Sequence, residues 1–160
     1  MHTFTLVFLT ALALTTLIQI WLATRHIRHI RAHQNTVPEK FSSQINLADH
    51  QKAADYTCAK TRTGYPGVVL QVALLLIFTL GGGLNALNSF WANWLGDPLA
   101  HGMALIISTF LLMGIAEVPL SYYRTFVIEE QYGFNKMTRA MFFTDLIKQS
   151  LLGLLLGAPR

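Results

Sequence analysis

The sequence predicts an all-α integral membrane protein with about four transmembrane helices, the last one truncated, and with amphipathic helical loops on the cytoplasmic side. Of its 160 residues, 52% are hydrophobic and only 12% are charged, about half the charged fraction of an ordinary soluble domain. Charges are absent from residues 4–24, 63–96 and 99–116. A helix needs about 20 apolar residues to cross the hydrocarbon core of a bilayer, so these stretches predict membrane spans.

The distribution of basic residues predicts the topology. Of the twelve lysines and arginines, seven lie in residues 25–64 and four in residues 120–148, whereas the turn at 96–98 has none. Basic residues collect on the cytoplasmic side of membrane proteins, so the polar segments 25–64 and 119–145 are predicted to be cytoplasmic loops and the amino terminus to lie outside. We expect an inner-membrane protein of a bacterium. The net charge of +4 is explained by this pattern, and no nucleic-acid partner is predicted.

The first span is predicted at residues 4–24. Three arginines follow it directly, at positions 25, 28 and 31. A cleavable signal peptide carries its basic residues before the apolar core, so the order in this chain favours a retained anchor.

A metal site is an alternative role for the basic segment after the first span. His29 and His33 are four positions apart and would share one helical face. A zincin helix has Glu directly after its first His, but Ile30 occupies that position here. We favour a basic collar that fixes the topology and touches anionic headgroups.

The first cytoplasmic loop, residues 25–64, contains a helical pattern over residues 45–62. We expect this helix to pack on the membrane face of the protein and to end at the glycine and proline residues of 64–67. Cys58 is the only cysteine, which excludes an intrachain disulfide and a thiolate zinc site built from this chain.

The second span is predicted at residues 68–94 and includes the triple glycine Gly81 to Gly83. Glycines weaken a helix but also permit close helix packing, and we favour a kinked or closely packed helix over a break. The turn at residues 96–98 then predicts a hairpin with the third span.

The third span is predicted at residues 99–118, with Pro119 as its end. Glu117 would then lie at the interface, although a buried functional carboxylate is the alternative. Residues 137–156 are predicted to be helical, and residues 146–160 to form an incomplete fourth span. The apolar run at the end of this segment, Leu151 to Pro159, has only nine residues. Because nine residues cover less than half a membrane crossing, we expect the chain to be a fragment of a longer protein.

The polar stretch between the third and fourth spans carries the most specific motif. The run FVIEEQYGFNKMT, residues 126–138, is followed by Phe142, Asp145 and Lys148. Together they resemble the amino-terminal membrane region of the type I CAAX prenyl proteases, which are integral-membrane zinc metallopeptidases. The matching signature residues are Glu129, Glu130, Gly133, Phe134, Asn135 and Asp145.

The resemblance implies helices that enclose a membrane chamber, followed by a catalytic domain with a His-Glu-x-x-His zinc motif. No such motif occurs in this sequence, so no catalytic or metal residue is assigned here and the catalytic zinc domain is absent from this chain. Zinc is implied only for a full-length member. For the signature residues the resemblance implies a structural role, in docking the carboxy-terminal peptidase domain.

Three functions remain open at this stage. The first is the chamber-forming membrane domain of a zinc metalloendopeptidase that cleaves membrane-associated peptides or proteins. The second is a non-catalytic scaffold or regulatory truncation of such a protein. The third is a small transporter subunit, which would need ionisable or discontinuous elements in mid-span. The expected partners are the lipid bilayer, the missing peptidase domain and, in the full-length protein, a peptide substrate.

Overall fold

The computed structural model describes residues 3–41 and 43–157, and these residues form helices and no β-strand. The α-helices are α1 Thr3–His33, α2 Leu47–Arg62, α3 Gly64–Thr79, α4 Gly83–Ala92, α5 Pro98–Tyr123 and α6 Arg139–Gly157. A short 3-10 turn, Glu39–Phe41, lies between α1 and α2, and a π-helical segment, Arg124–Glu129, extends α5. The all-α prediction is confirmed.

Three stretches of helix are long and apolar enough to cross a membrane: Thr3–His33, Leu47–Thr79 and Pro98–Glu129. The 31 residues of α1 extend about 46 Å at about 1.5 Å per residue. Since the hydrocarbon core is about 30 Å thick, the basic end of α1 stands beyond it. The membrane anchor and the basic collar are therefore parts of one continuous helix.

α2 and α3 run on through Thr63, which keeps right-handed helical backbone angles. Its N–H donates to the Ala59 carbonyl at 3.1 Å and its hydroxyl donates to the Lys60 carbonyl at 2.7 Å. Pro66 lies in the first turn of α3, where proline is tolerated because first-turn N–H groups have no intrahelical partner. The predicted helix of residues 45–62 agrees with α2, which ends at Arg62, but α3 begins at Gly64 with no loop between them. Because the two form one stretch of 33 residues, Leu47–Thr79, the prediction of a separate surface helix is wrong.

The triple glycine breaks the second predicted span. The Leu76 carbonyl accepts hydrogen bonds from the N–H groups of Leu80 and Gly81, at 2.9 and 2.8 Å. Gly82 then takes a left-handed φ of +79°, and α4 begins at Gly83. The prediction of a continuous kinked helix over residues 68–94 is therefore wrong.

Each of the three glycines has its own reason for being a glycine. A Cβ on Gly81 would lie 2.8 Å from the Ile77 carbonyl oxygen, and a Cβ on Gly83 would lie 3.0 Å from the same oxygen. Gly82 has open space around it, but its left-handed φ is strained for any residue with a side chain. The turn is thus specified by sterics at two positions and by backbone conformation at the third.

α4 and α5 form the predicted hairpin. Asp97 caps α5 by accepting the Ala100 N–H at 2.8 Å, and Pro98 is at the start of the helix. Two polar contacts join the helices. The indole N–H of Trp91 donates to the Ser108 hydroxyl at 3.0 Å, and the His101 Nε2 lies 2.9 Å from the Asn88 Oδ1.

The helix of the third predicted span does not end at Pro119, which lies inside α5. The helix continues to Tyr123 and then widens into the π-helical segment. Proline inside membrane helices is tolerated where nearby π-type adjustments or neighbouring helices satisfy the freed backbone groups. Pro119 therefore does not end the helix, and Glu117 lies within it, whereas the predicted end of the membrane span at residue 118 stays a prediction.

The last helix, α6, begins after a side-chain cap. The Thr138 hydroxyl accepts the Met141 N–H at 3.2 Å, which satisfies one of the free N–H groups of the first turn. α6 ends at Gly157, and residues 158–160 of the predicted incomplete span lie outside the described residues.

Replacing Gly82 by alanine should lower the thermal unfolding midpoint of the detergent-purified protein. An alanine at this left-handed φ costs about 1 to 2 kcal/mol. Gly102→Ala is the matched control, because Gly102 is helical and an added Cβ would have no atom within 4 Å. The control should keep or raise the midpoint, and equal loss in both variants would contradict the role given to Gly82.

Candidate functional site

The candidate site is the segment Phe126–Thr138, here called the elbow, which connects α5 to α6. It begins inside the π-helical segment, where Ile128 is 8% exposed. This segment packs against α2, whose own buried residues are Ala54 and Cys58. π-helical turns occur frequently at functional sites, and this one places the acidic pair that follows it beside α2.

Glu129 joins the elbow to α2 through its side chain. Its Oε1 accepts the Tyr56 hydroxyl at 3.5 Å and lies 3.8 Å from the Lys60 Nζ. The Lys60 Nζ also donates to the Tyr56 Oη at 3.3 Å. Lys60 is 50% exposed, so solvent screens this ion pair and its contribution is mainly to orientation.

The main chain of Glu129 also closes the elbow. Its carbonyl accepts the N–H groups of Phe134 at 2.8 Å and Asn135 at 3.2 Å. Gly133, with a left-handed φ of +73°, makes this reversal possible and donates to the Glu130 carbonyl at 2.9 Å. The glycine of the motif is therefore required by backbone conformation.

Asn135 fixes the exit of the elbow with both ends of its amide. Its Nδ2 donates to the Glu130 Oε2 at 2.8 Å, and its Oδ1 accepts the Met137 N–H at 2.7 Å. Five of the six signature residues, from Glu129 to Asn135, thus belong to one turn.

The aromatic side of the elbow lies on α2. The Tyr56 ring of α2 is 4.6 Å from the Phe134 ring and 5.6 Å from the Tyr132 ring. The Lys52 Nζ lies 5.7 Å from the centre of the Phe134 ring, within range of a cation–π contact. Phe134 nevertheless keeps 47% of its surface exposed, so the elbow presents an aromatic face to its surroundings.

Sequence reasoning missed the α2 partners of the elbow. Lys52, Tyr56 and Lys60 are spaced four residues apart, which places them on one face of a helix. That spacing was the available signal, but the interpretation of α2 as a surface helix gave no reason to pair this face with a motif about 70 residues later.

Asp145 does not join the elbow. It is partly buried on α6, and within the described residues it forms no hydrogen bond or ion pair. The neighbouring Phe142 is 6% exposed and packs edge-on against Tyr122 at 5.7 Å and Phe126 at 5.6 Å. These rings dock α6 on the end of α5 and the start of the elbow.

A second polar feature lies between the membrane-spanning helices. The Gln71 Nε2 donates to the Glu117 Oε1 at 3.5 Å. Gln71 also lines a small cleft of about 150 Å³ between α1 and α3, whose polar residues are Thr15, Thr16, Gln19 and Gln71. Gln71 and Glu117 are both exposed, so this chain leaves the polar face open.

The described residues do not fit a zinc site. No three His, Cys, Asp or Glu side chains among them lie close enough to hold a metal. The His29 and His33 rings are 4.3 Å apart, but the His33 Nδ1 lies 2.8 Å from the backbone carbonyl of His29. No chemistry of this chain is therefore assigned to a bound metal.

Comparison with known proteins assigns the chain, including the elbow, to a protein family. The family model described as CAAX prenyl protease N-terminal, with five membrane helices, matches residues 26–160. The CAAX prenyl protease 1 homolog of Caenorhabditis elegans is 32% identical over 134 residues, which cover 82% of this chain and 29% of that protein. The probable CAAX prenyl protease 1 of Schizosaccharomyces pombe is 40% identical over 134 residues, which cover 74% and 28%.

The chain spans less than a third of the length of these relatives. Both are eukaryotic, so they give no support to a bacterial membrane, which stays a prediction. The crystal structure of S. mikatae Ste24p matches 98% of this chain with a TM-score of 0.85, at 21% identity and over 37% of its own chain. That likeness shows the fold alone, and the family model supplies the assignment. The chain belongs to the CAAX prenyl protease N-terminal family and corresponds to its amino-terminal membrane domain.

Proposed function

We propose that this chain serves as the chamber-forming membrane domain of a zinc metalloendopeptidase that cleaves membrane-associated peptides or proteins. The relatives named above are called prenyl proteases, so a peptide with a prenylated cysteine is the first substrate class to test. The zinc and the residues that hold it would come from the part of the relatives that this chain does not match. The contribution of this chain would be a chamber wall and a docking surface.

The observation that carries the chamber proposal is the open polar face within the membrane-spanning helices. A carboxylate such as Glu117 costs about 2.5 to 3.5 kcal/mol when it is placed at the bilayer centre on insertion scales. Residues of this kind therefore face a helix bundle or a water-filled cavity. A chamber shared with the rest of the protein would supply water to Gln71 and Glu117 on the side that this chain leaves uncovered.

The docking role is proposed for the elbow. Its backbone is fixed by the Glu129 carbonyl and by Gly133, and its rings rest on α2, yet Phe134 remains half exposed. A rigid turn with an open aromatic face loses little entropy when a second domain covers it. The elbow would sit on the cytoplasmic side, together with residues 25–64, because both polar segments carry the excess of basic residues.

The protein expressed from the complete gene should hydrolyse a prenylated peptide in a zinc-dependent manner. A chelator should abolish the activity and added Zn²⁺ should restore it, because the family's chemistry requires the metal. The assay follows product by chromatography. If the complete gene encodes only a stable membrane protein without zinc and without hydrolysis, the peptidase proposal is wrong and the scaffold alternative gains support.

Gln71→Cys should react with a membrane-impermeant, water-soluble thiol reagent, because the proposal places this residue against water. Ile106→Cys is the control, since Ile106 is an exposed apolar residue of α5 and should be shielded by lipid. Both are made in a Cys58→Ala background. The measurement is the initial labelling rate in sealed vesicles of known orientation, with at least a tenfold difference expected.

Two further cysteines report the sidedness in the same vesicles. Lys136→Cys, in the elbow, should react only from the cytoplasmic side, and Asp97→Cys, in the hairpin turn, only from the opposite side. Labelling of both from one side would overturn the proposed orientation. Equal rates for Gln71→Cys and Ile106→Cys would overturn the chamber wall.

Phe134→Ala should weaken docking of the peptidase domain. When residues 1–160 and the remainder of the complete protein are expressed as two chains, this variant should recover less of the second chain in a tag pull-down. Phe41→Ala is the control, because Phe41 is exposed to a similar degree and lies in the other polar segment. Undiminished recovery with Phe134→Ala, or an equal loss with Phe41→Ala, would argue against docking at the elbow.

A further inference from the structure

We propose that the outward face of α1 binds the phosphate of an acidic phospholipid at the membrane surface. The site is an open cleft of about 450 Å³ on successive turns of one helix, here called the α1 cleft. It is lined by Trp21, Thr24, Arg25, Arg28, His29 and Ala32. This inference is independent of the proposed peptidase function, and its first three residues precede the part of the chain that the family model matches.

The cleft lies on the side of α1 that faces away from the other helices. Ile27 is the buried residue of α1 and marks its packed side, and α1 contacts both α2 and α3. At about 100° per residue, Trp21, Arg25 and Arg28 point between about 100° and 160° away from Ile27. Thr24 lies at the border, where its hydroxyl is 2.9 Å from the Tyr65 hydroxyl of α3. Within the described residues no helix covers this side of α1, so the proposed lipid would reach the cleft from there.

The depth of the cleft matches the headgroup layer. The uncharged run of α1 ends at residue 24, and the first arginine follows at once. Tryptophan is enriched at this level of membrane proteins because its ring is apolar while its N–H seeks a polar partner. The acyl chains of a lipid would run along the apolar turns before Trp21, and its phosphate would meet the arginines.

The polar groups of the cleft have the right chemistry for a phosphate. The Arg25 guanidinium lies 5.5 Å from the centre of the Trp21 ring, a cation–π contact that restrains its position. Within the described residues, the guanidinium groups of Arg25 and Arg28 form no ion pair and no hydrogen bond. Two guanidinium groups one turn apart can both donate to phosphate oxygens, and arginine favours such paired contacts.

A phospholipid fits the cleft better than a free phosphate ion. Trp21 is 58% exposed, and only a ligand with an apolar part would cover the indole while the arginines hold the phosphate. A free phosphate ion has no apolar part, so it would contact neither the Trp21 ring nor the apolar turns of α1 that precede it. The proposed ligand is therefore a lipid with an anionic headgroup, such as phosphatidylglycerol.

The test measures phosphatidylglycerol binding to the complete protein in detergent micelles, by native mass spectrometry and by the rise in thermal unfolding midpoint. A ligand that binds the folded state raises this midpoint. The double variant Arg25→Gln/Arg28→Gln should bind the lipid about thirty-fold more weakly, at about 1 kcal/mol for each basic residue near an anionic surface. Trp21→Leu, which keeps an apolar side chain, should also weaken binding.

Arg31→Gln is the matched control, because Arg31 belongs to the same basic collar but does not line the cleft. It should bind phosphatidylglycerol within about twofold of the unaltered protein. An equal loss with Arg31→Gln would reduce the effect to general charge and overturn the site. Undiminished binding by the double variant would do the same. Displacement of the lipid by inorganic phosphate at equal concentration would show a plain anion site and overturn the lipid assignment.

Discussion

A backbone amide or carbonyl surrounded by hydrocarbon must find a partner within the protein, and the shape of this chain follows from that constraint. A continuous helix pairs its backbone N–H and C=O groups internally, which is why α1 and the α2–α3 pair extend for more than thirty residues each. The break between α3 and α4 meets it differently. There the Leu76 carbonyl accepts two N–H groups at once, and Gly82, with its left-handed φ, connects the two helices without a long unpaired stretch.

Three contacts fix how the α2–α3 helix aligns with the α5 helix and its π-helical extension. Lys60 pairs with Glu129, and Gln71 pairs with Glu117. Between these two polar contacts, Gly67 lies so close to Leu120 that an added Cβ would be 3.2 Å from its side chain. Each step forward along the first helix is matched by a nearly equal step backward along the second. The contacts therefore form one antiparallel seam, with the elbow at one end.

Much of this architecture is local information, and that part was predictable. Uncharged runs fix the spans, the basic residues follow the spans, and Asp97 and Thr138 are recognisable caps. The helix continuity through Thr63 and Pro119 is not predictable from the sequence, because glycine and proline commonly end helices, although early helical positions and neighbouring helices tolerate them. The reverse error occurred at Gly82, where a continuous helix was expected.

The elbow was recognisable as a motif, but its contacts were not. Its backbone depends on residues a few positions apart, so Gly133 and Asn135 could be understood from the sequence. Its anchor on Tyr56 and Lys60 depends on a tertiary contact that spans about 70 residues. No local pattern fixes such a contact unless the pairing of the two helices is already known, which is the general limit of single-sequence reasoning.

The seam also connects the two polar contacts between these helices, Lys60 with Glu129 and Gln71 with Glu117. Glu129 holds the elbow at one end of the seam, and Glu117 lies about three helical turns further along the same helix. Because α2 and α3 are continuous through Thr63, a domain that binds at Phe134 and Lys52 would contact the same long helix that carries Gln71. A close-packed interior has low compressibility and transmits strain, and rigid secondary elements are among the structures that carry coupling between two sites. Here two long helices joined by one seam are that element, so the proposed chamber wall and the proposed docking surface belong to one rigid unit of this chain.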